Sequence, residues 1–286
     1  MDTTHDHQSH GHHSKVSMRY IRHYISNLKE INLETHSKCN MSREHDGHDG
    51  CPACPVALRT KTFGSFRLDM DVMEKLFKEL HSLGYTGLTG LHHYNEPLID
   101  KRIWDIIPMA VRLCPDAKVQ IYTNGRLLND EVGQRLMNLG VADMRVSAYS
   151  DSEYERLCGI LKKLKASHPD RYFSCVRSGL DGRMDIYDAE VNDINSGCPT
   201  IREQMVIVSS GDIQLCCRDF LRKNSFGNIY KNTFTEILQD SNYLPAREDL
   251  ISGKDRQKYY PCDRCGSVDN PNHIAMLAQN EAATVS

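Results

Sequence analysis

Apolar and polar positions alternate along the chain with two periods, which predict strands separated by helices. The segment Ile31–Thr35 alternates apolar and polar residues as a strand does. Apolar residues recur at helical spacing from Met70 to Leu83, and a short apolar run follows at Leu88–Leu91. The same order continues, with strands predicted at 119–122, 144–148 and 172–176 and helices predicted at 103–113, 130–139 and 152–164. This alternation predicts a parallel sheet with helical crossovers.

The pattern changes after Cys198. Apolar runs at 205–208 and 213–215 flank a turn at 210–212 and predict a β-hairpin, and helical spacing resumes from Phe234. We therefore predict four parts: a His-rich, disordered tail (1–28), a main α/β domain (29–190), a small hairpin and helix domain (191–270) and a second tail (271–286). About five β/α units fit the main domain, too few for a closed barrel of eight.

Composition narrows the possible classes of protein. The chain has 286 residues, 40% of them hydrophobic, which is enough for one substantial core. Its formal net charge of −3 gives no support to a nucleic-acid partner. There is no apolar run long enough for a membrane span and no apolar signal segment, so we expect a cytoplasmic protein. The five histidines within residues 1–15 leave metal scavenging or an expression remnant as alternatives to a plain disordered tail.

The chain has 11 cysteines, and in a reducing compartment clustered cysteines favour metal ligation over disulfides. Cys39, Cys51 and Cys54 form the first cluster, with eleven residues and then two between them. Without Arg43–Gly50, the spacing is C-x3-C-x2-C directly after a strand. A structural zinc site completed by His36, His45 or His48 is the alternative.

That spacing resembles the radical S-adenosylmethionine (SAM) enzymes. In that family three thiolates hold a [4Fe–4S] cluster, and its fourth iron binds SAM. The resemblance therefore implies that Cys39, Cys51 and Cys54 are cluster ligands. The insert Arg43–Gly50 departs from the family pattern, and we expect ligation to survive its deletion.

Three downstream segments extend the resemblance over residues 30–178. One is similar to the family's Gly-Glu-Pro segment, which grips the methionine amino group. Another is similar to its Thr-Asn-Gly turn near the SAM ribose, and the third is a serine at the end of the fourth strand. The residues that the resemblance assigns to SAM binding are Tyr94, Asn95, Glu96, Pro97, Thr123, Asn124 and Ser147.

The resemblance also implies a fold and an activity. The expected fold is a partial (β/α) barrel with about five or six parallel strands. The expected reaction begins with reductive cleavage of SAM to a 5′-deoxyadenosyl radical, which abstracts hydrogen from a substrate carbon. It implies a one-electron reductant, such as flavodoxin or ferredoxin, as a partner.

A second cysteine set lies in the C-terminal part of the chain. Twelve residues separate Cys198 from Gly211, four more precede Cys216, and Cys262 and Cys265 close the set. This arrangement resembles the SPASM and twitch extensions of radical SAM enzymes, and four ligands imply one auxiliary [4Fe–4S] cluster. A four-cysteine zinc ribbon is the alternative. The other cysteines, Cys217, Cys114, Cys158 and Cys175, are expected not to bind metal.

Residues at the carboxyl ends of the strands are the candidates for substrate contact and catalysis, because ligands of such folds bind there. They are His92, Tyr122, Tyr149 and Arg177. Arg177 is suited to an anionic or hydroxyl-rich substrate, to the SAM carboxylate, or simply to solvent.

The short core with one auxiliary cluster resembles the aminocyclitol dehydrogenase type. We therefore expect two-electron oxidation or rearrangement of a polar small molecule in natural-product or glycan biosynthesis. Modification of a ribosomally made peptide is the second hypothesis, and a non-catalytic zinc or iron-binding protein is the third.

Overall fold

A seven-stranded sheet organises the part of the chain that the structure describes. The computed structural model describes residues 15–41, 54–177, 197–224, 226–240 and 242–265. Within these ranges the sheet has seven strands in the order β5-β4-β3-β2-β1-β6-β7. The strands are β1 (Glu30–Leu33), β2 (Leu88–Gly90), β3 (Lys118–Thr123), β4 (Val141–Ala148), β5 (Tyr172–Arg177), β6 (Gln204–Ile207) and β7 (Ile213–Gln214).

Helices connect the strands and continue past the sheet. They are α1 (Met18–Asn27), α2 (Val56–Phe63), α3 (Met70–Ser82), α4 (Ile103–Leu113), α5 (Asp130–Asn138), α6 (Asp151–Ser167), α7 (Pro199–Glu203), α8 (Phe234–Asp240) and α9 (Tyr243–Ser252), with short 3₁₀ helices at Pro97–Ile99, Arg256–Lys258 and Cys262–Arg264. Helix starts follow local capping: the Asn129 side chain accepts from the Val132 N–H, and Ser150 accepts from the Glu153 N–H. No helix in the described ranges has the length and apolar character needed to cross a membrane.

Six of the seven strands are parallel, which confirms the predicted α/β architecture with five or six parallel strands. The sixth is β6, which pairs in parallel with β1 from Glu30↔Gln204 to Leu33↔Ile207. The sequence had placed this segment in the C-terminal hairpin alone. The hairpin does form, because β7 runs antiparallel to β6, but its first strand extends the main sheet. The C-terminal part is therefore joined to the core by backbone hydrogen bonds.

The two faces of the sheet differ in polarity. Alternate strand residues on one face enter the main apolar core with the helices; these include Ile31, Leu33, Ile121, Met144, Val146 and Phe173. Polar side chains that are almost fully buried occupy the other face or the strand ends; these are Asn32, Glu34, Gln120, Asp143, Ser147, Ser174 and Gln214. In a partial barrel the helix-covered face is the outside, so the inner face of this barrel is polar.

The N-terminal boundary requires a correction. Residues 1–28 were expected to form a disordered tail, but residues 18–27 form helix α1. Ile21 and Ile25, one helical turn apart, are both fully buried, and the Val16 N–H donates to the Gln239 carbonyl at 3.3 Å. The histidine-rich composition of residues 1–15 obscured this short amphipathic segment. Residues 1–14, and with them the five histidines for which metal scavenging was one alternative, lie outside the described residues.

Gly211 forms the turn of the hairpin as expected. Its φ is +86°, and a Cβ there would lie 2.5 Å from Cδ2 of Tyr230. A side chain is therefore excluded both by backbone conformation and by space. The turn returns the chain along β7 and places Cys216 two residues after the strand.

Candidate functional site

Two of the three cysteines of the first cluster lie side by side at the carboxyl end of β1. Cys39 and Cys54 both pack against a small apolar cluster formed by Val56, Tyr94 and Phe220. Cys51 lies outside the described residues, as does the insert Arg43–Gly50. Burial, together with the neighbouring Cys54 and Glu96, raises the pKa of the Cys39 thiol to about 12. A bound metal cluster would favour the thiolate form by its positive charge, so this donor pair fits a metal cluster.

The turn after β3 reaches the first cysteine directly. The Asn124 side-chain amide lies 3.7 Å from Cys39 Sγ and donates to Asn40 Oδ1 at 2.7 Å. The Met41 N–H also donates to Cys39 Sγ, at 3.4 Å. The Thr-Asn-Gly segment and the first cysteine, which are distant in sequence, therefore meet at one edge of the sheet.

Glu96 is the centre of the predicted SAM-binding segment. Its Oε1 accepts from Thr123 Oγ1 at 2.6 Å and from the Leu98 N–H at 3.1 Å, and its Oε2 accepts from the Asn124 N–H at 2.8 Å. Burial raises the pKa of Glu96, although these hydrogen bonds oppose the shift. The carboxylate is thus fixed beside Cys39, where a cationic ligand group would stabilise it.

Of the other predicted SAM-binding residues, Thr123 and Asn124 donate to this carboxylate, and Asn95 and Pro97 are its neighbours along the chain. Tyr94 is placed differently, because its hydroxyl donates to the Cys217 carbonyl. Asn95 is buried; its Oδ1 accepts from the His93 N–H at 2.8 Å, and its amide donates to Thr35 Oγ1 at 3.3 Å. Pro97 begins the short 3₁₀ helix that follows Glu96. Ser147 lies on the inner face at the end of β4. The structure therefore brings Asn95, Glu96, Pro97, Thr123 and Asn124 together, and their role in SAM binding stays a prediction.

Most of the substrate candidates lie on the inner face. The Ser147 hydroxyl donates to the Tyr122 hydroxyl at 3.2 Å, and the ring centroids of Tyr122 and His92 are 5.2 Å apart. Tyr149 follows β4 and is half-buried. These polar groups are suited to hydroxyl or amino groups of a substrate.

Arg177 is placed elsewhere. It ends β5 with its side chain 62% exposed, and its Nε donates to Asp151 Oδ1 at 3.0 Å. Its guanidinium carbon also lies 3.8 Å from the ring centroid of Tyr154 on α6. Alternation along β5 directs Ser174 and Arg177 to opposite faces. The structure therefore does not bring Arg177 to the other candidates.

His36, one of the three histidines considered for a zinc site at the first cysteine cluster, is bonded to the backbone instead. His36 accepts from the Lys38 N–H through Nδ1 at 3.1 Å, which leaves Nε2 as the donor to the Glu96 carbonyl at 3.1 Å. Both ring nitrogens are thus engaged with the backbone. His45 and His48 lie outside the described residues.

The four cysteines of the second set converge from three separate segments. Cys198 precedes α7 and Cys216 follows β7, while Cys262 begins the last 3₁₀ turn and Cys265 comes directly after it. Burial is the main cause of their shifted acidity: it raises the pKa of Cys216 well above its ordinary value and that of Cys262 to about 12. After burial, the neighbouring Cys217 and then Cys262 and Cys198 contribute to the first shift, and Cys198 and Cys265 contribute to the second.

The chemistry of this donor set fits an iron–sulfur cluster, because four cysteine thiolates are the usual ligands of a [4Fe–4S] cluster. Four thiolates are equally the ligands of a structural zinc ion, the alternative given above. All ten cysteines in the described part of the chain are thiols rather than disulfides. Cys114 and Cys175 are buried in the main core, and Cys158 packs against it.

A buried ion pair packs against Tyr94, which contacts both cysteine sites, and the sequence patterns did not reveal this pair. Glu34, fully buried after β1, pairs through Oε1 with Nη1 of Arg59 at 2.5 Å. Glu34 Oε2 accepts from the backbone N–H and the hydroxyl of Ser209, at 2.9 and 2.7 Å. The guanidinium carbon of Arg59 lies 4.5 Å from the ring centroid of Tyr94, and the Tyr94 hydroxyl donates to the Cys217 carbonyl. In the sequence, the sign of this ion pair was a charged residue, Glu34, directly after a buried strand.

Comparisons with known proteins found one family model and a curated relative. The SPASM family, an iron–sulfur cluster-binding domain, matches residues 198–266, a range that includes the four converging cysteines. The S-adenosyl-L-methionine-dependent 2-deoxy-scyllo-inosamine dehydrogenase of Niallia circulans is 26% identical over 242 residues, which cover 83% of this chain and 92% of that protein.

Solved structures share the fold over most of the chain. The crystal structure of BtrN in complex with AdoMet and 2-DOIA has a TM-score of 0.64 at 23% identity, covering 84% of this chain and 92% of that one. The anSMEcpe structure with bound AdoMet has a TM-score of 0.52 at 13% identity, covering 84% and 85%.

Proposed function

We propose that this chain, which belongs to the radical SAM enzymes with a SPASM-type iron–sulfur domain, oxidises a polar small molecule by two electrons. Its cofactors are SAM, a [4Fe–4S] cluster at the first cysteine set and an auxiliary iron–sulfur cluster at the second. When bound, SAM and the first cluster supply a 5′-deoxyadenosyl radical that removes one hydrogen atom from the substrate. We assign the ligand roles to Cys39, Cys51 and Cys54.

The convergence of four cysteines at the auxiliary site carries the proposal. Cys198, Cys216, Cys262 and Cys265 supply one thiolate for each iron of a [4Fe–4S] cluster. Such a cluster has no open position for substrate, so it suits electron transfer rather than substrate binding. Hydrogen-atom abstraction removes one electron and one proton from the substrate carbon, and a second electron must leave, together with the hydroxyl proton, which passes to solvent, to complete the oxidation to a ketone. The auxiliary site is suited to accept that electron.

The inner face of the barrel supports a hydroxyl-rich substrate. Its buried residues offer hydroxyl and carboxamide groups, and His92, Tyr122 and Ser147 form a polar cluster on it. We propose His92 and Tyr149 as residues that contact the substrate, with Tyr122. Arg177 is left out of this site because it is exposed and paired with Asp151.

The dehydrogenase of Niallia circulans provides the substrate class, because its name states that it acts on 2-deoxy-scyllo-inosamine. We propose that this chain oxidises an alcohol carbon of an aminocyclitol or a similar polyol in natural-product biosynthesis. A one-electron reductant such as flavodoxin or ferredoxin would serve it in the cytoplasm.

The test uses reconstituted, reduced enzyme with SAM and 2-deoxy-scyllo-inosamine under anaerobic conditions. We expect 5′-deoxyadenosine and the ketone of the cyclitol to form together. Cys216→Ala should abolish ketone formation, whereas Cys217→Ala, its neighbour outside the ligand set, should retain it. Formation of 5′-deoxyadenosine without any ketone, from this cyclitol or related polyols, would refute the proposed oxidation while leaving the radical SAM assignment intact.

A further inference from the structure

One peptide group connects the two cysteine sites. The carbonyl of Cys217 accepts a hydrogen bond from the Tyr94 hydroxyl. The N–H of Arg218 donates to Cys216 Sγ at 3.3 Å. This carbonyl and this N–H belong to the same planar peptide unit. The Tyr94 hydroxyl is therefore linked, through a single amide, to the sulfur of an auxiliary-site cysteine.

Tyr94 is held firmly at the other end of this link. The residue is 5% exposed, and its ring packs with Val56 and Phe220 in the cluster that also contacts Cys39 and Cys54. On one side of the ring lies Arg59, which the ion pair with Glu34 fixes in place. A hydroxyl on a ring so restrained keeps its position with little loss of side-chain entropy.

Hydrogen bonds to ligand sulfurs tune the potential of iron–sulfur clusters. An N–H donor stabilises the more negative, reduced cluster and so raises its reduction potential. A hydroxyl donating to the carbonyl of the same amide polarises it and strengthens the N–H donor. The direction of the effect of Tyr94 follows: removing its hydroxyl weakens the N–H···S bond and lowers the potential.

We propose that Tyr94 is a positioning residue that raises the reduction potential of the auxiliary cluster through the Cys217–Arg218 peptide. Because Tyr94 lies two residues before Glu96, the electron affinity of the auxiliary site is tied to the segment predicted to bind SAM. The proposal rests on the cluster assignment and is independent of the substrate. Its test therefore needs no substrate and cannot be confused with failure of the proposed oxidation.

The experiment is an EPR-monitored redox titration of reconstituted enzyme carrying Tyr94→Phe. Cys39→Ala is introduced into every protein compared, so that only the auxiliary cluster is observed. We expect the equilibrium constant for one-electron reduction to fall by up to about twofold, because the hydroxyl adds roughly 10–30% to the strength of one ordinary hydrogen bond. A twofold fall corresponds to about 18 mV.

Tyr230→Phe is the matched control. The Tyr230 hydroxyl accepts from the Asp69 N–H at 3.0 Å, so this variant also removes a hydroxyl contact between the C-terminal part and the core. It does not touch the Cys217–Arg218 peptide, and we expect an unchanged potential. An unchanged potential in Tyr94→Phe, or an equal shift in both variants, would overturn the proposal.

A second measurement covers the event that Tyr94→Phe fails to assemble its cluster. Pulsed EPR of the reduced auxiliary cluster in otherwise unaltered protein, in H₂O and D₂O, reports exchangeable protons near the cluster. With the Arg218 amide labelled by ¹⁵N, we expect a coupled amide proton and nitrogen at this position. Absence of that coupling would overturn the proposal without any substitution at Tyr94.

Discussion

Replacing Arg59 by methionine should destabilise the folded enzyme strongly, because it leaves the carboxylate of Glu34 buried without its cation. The pair is 2.5 Å apart, and the side chains are 4% and 0% exposed. Methionine fills much of the space of the arginine stem but carries no charge. Of the contacts to Glu34 described above, the donors of Ser209 remain, and they cannot neutralise the carboxylate.

The magnitude follows from two independent estimates. Burial alone would raise the pKa of Glu34, but Arg59 and the Ser209 donors hold it at about 2, against an ordinary value of 4.5. That difference corresponds to roughly 3 kcal/mol of stability. Loss of one partner of a buried pair costs about 3–5 kcal/mol. For a chain of this size we expect the melting temperature to fall by roughly 6–20 °C.

The assay is anaerobic thermal unfolding of the enzyme, Arg59→Met, Glu34→Gln and the double variant. Each single variant should melt far below the parent enzyme, and the double variant should recover much of the loss because no unpaired charge is left. A fall in melting temperature of less than about 2 °C in Arg59→Met, or additive losses in the double variant, would refute the reasoning.

The same pair predicts a dependence on pH. The folded-state pKa of Glu34 is lowered, so the ionised carboxylate contributes its full stability above about pH 4.5. That stability is lost as the pH falls from about 4.5 towards 2, when the folded-state carboxylate takes up its proton. Glu34→Gln should lack this part of the acid destabilisation. Between pH 6 and 3, its melting temperature should therefore fall less than that of the parent enzyme, and an equal fall would contradict this prediction.

The remaining predictions concern single positions near the site. Glu96→Gln should raise the SAM concentration needed for half-maximal 5′-deoxyadenosine formation about tenfold or more, because a buried carboxylate is lost; an unchanged value would contradict its assignment. Gly90→Ala would place a Cβ 2.5 Å from Asn32 Oδ1, so the buried Asn32 side chain must move. We expect the free energy of unfolding to fall by about 1–3 kcal/mol, and an unaltered melting temperature would argue against tight packing at this position. Arg177→Gln should leave the yield of ketone per 5′-deoxyadenosine unchanged, and a lower yield in this variant would show that Arg177 does act on the substrate. The free energy of unfolding should fall by at most about 1 kcal/mol, because the partner Asp151 is exposed.

Local patterns predicted the regular elements well where a whole strand or helix had one clear period. Helix Ile103–Leu113 was predicted with the bounds that the structure shows, and strand β3 differs from its prediction by one residue at each end. Such patterns depend on residues two to four positions apart, which is the range over which side chains share a face. Helix α1 was missed because the polar residues before it dominated the composition of residues 1–28.

The sequence by itself determined the alternating α/β order, the turn at Gly211 and the two cysteine sets, because spacing along the chain encodes all three. Only the tertiary structure decided that β6 joins the sheet beside β1, that Arg177 faces away from the site, and that Glu34 finds Arg59. These outcomes depend on which distant segments meet, and a hydrogen bond to a backbone carbonyl, such as that of Tyr94 to Cys217, leaves no trace in the pattern of side chains. The spacing of the cysteines could therefore be read from the sequence, whereas the contacts between their two sites depend on tertiary packing.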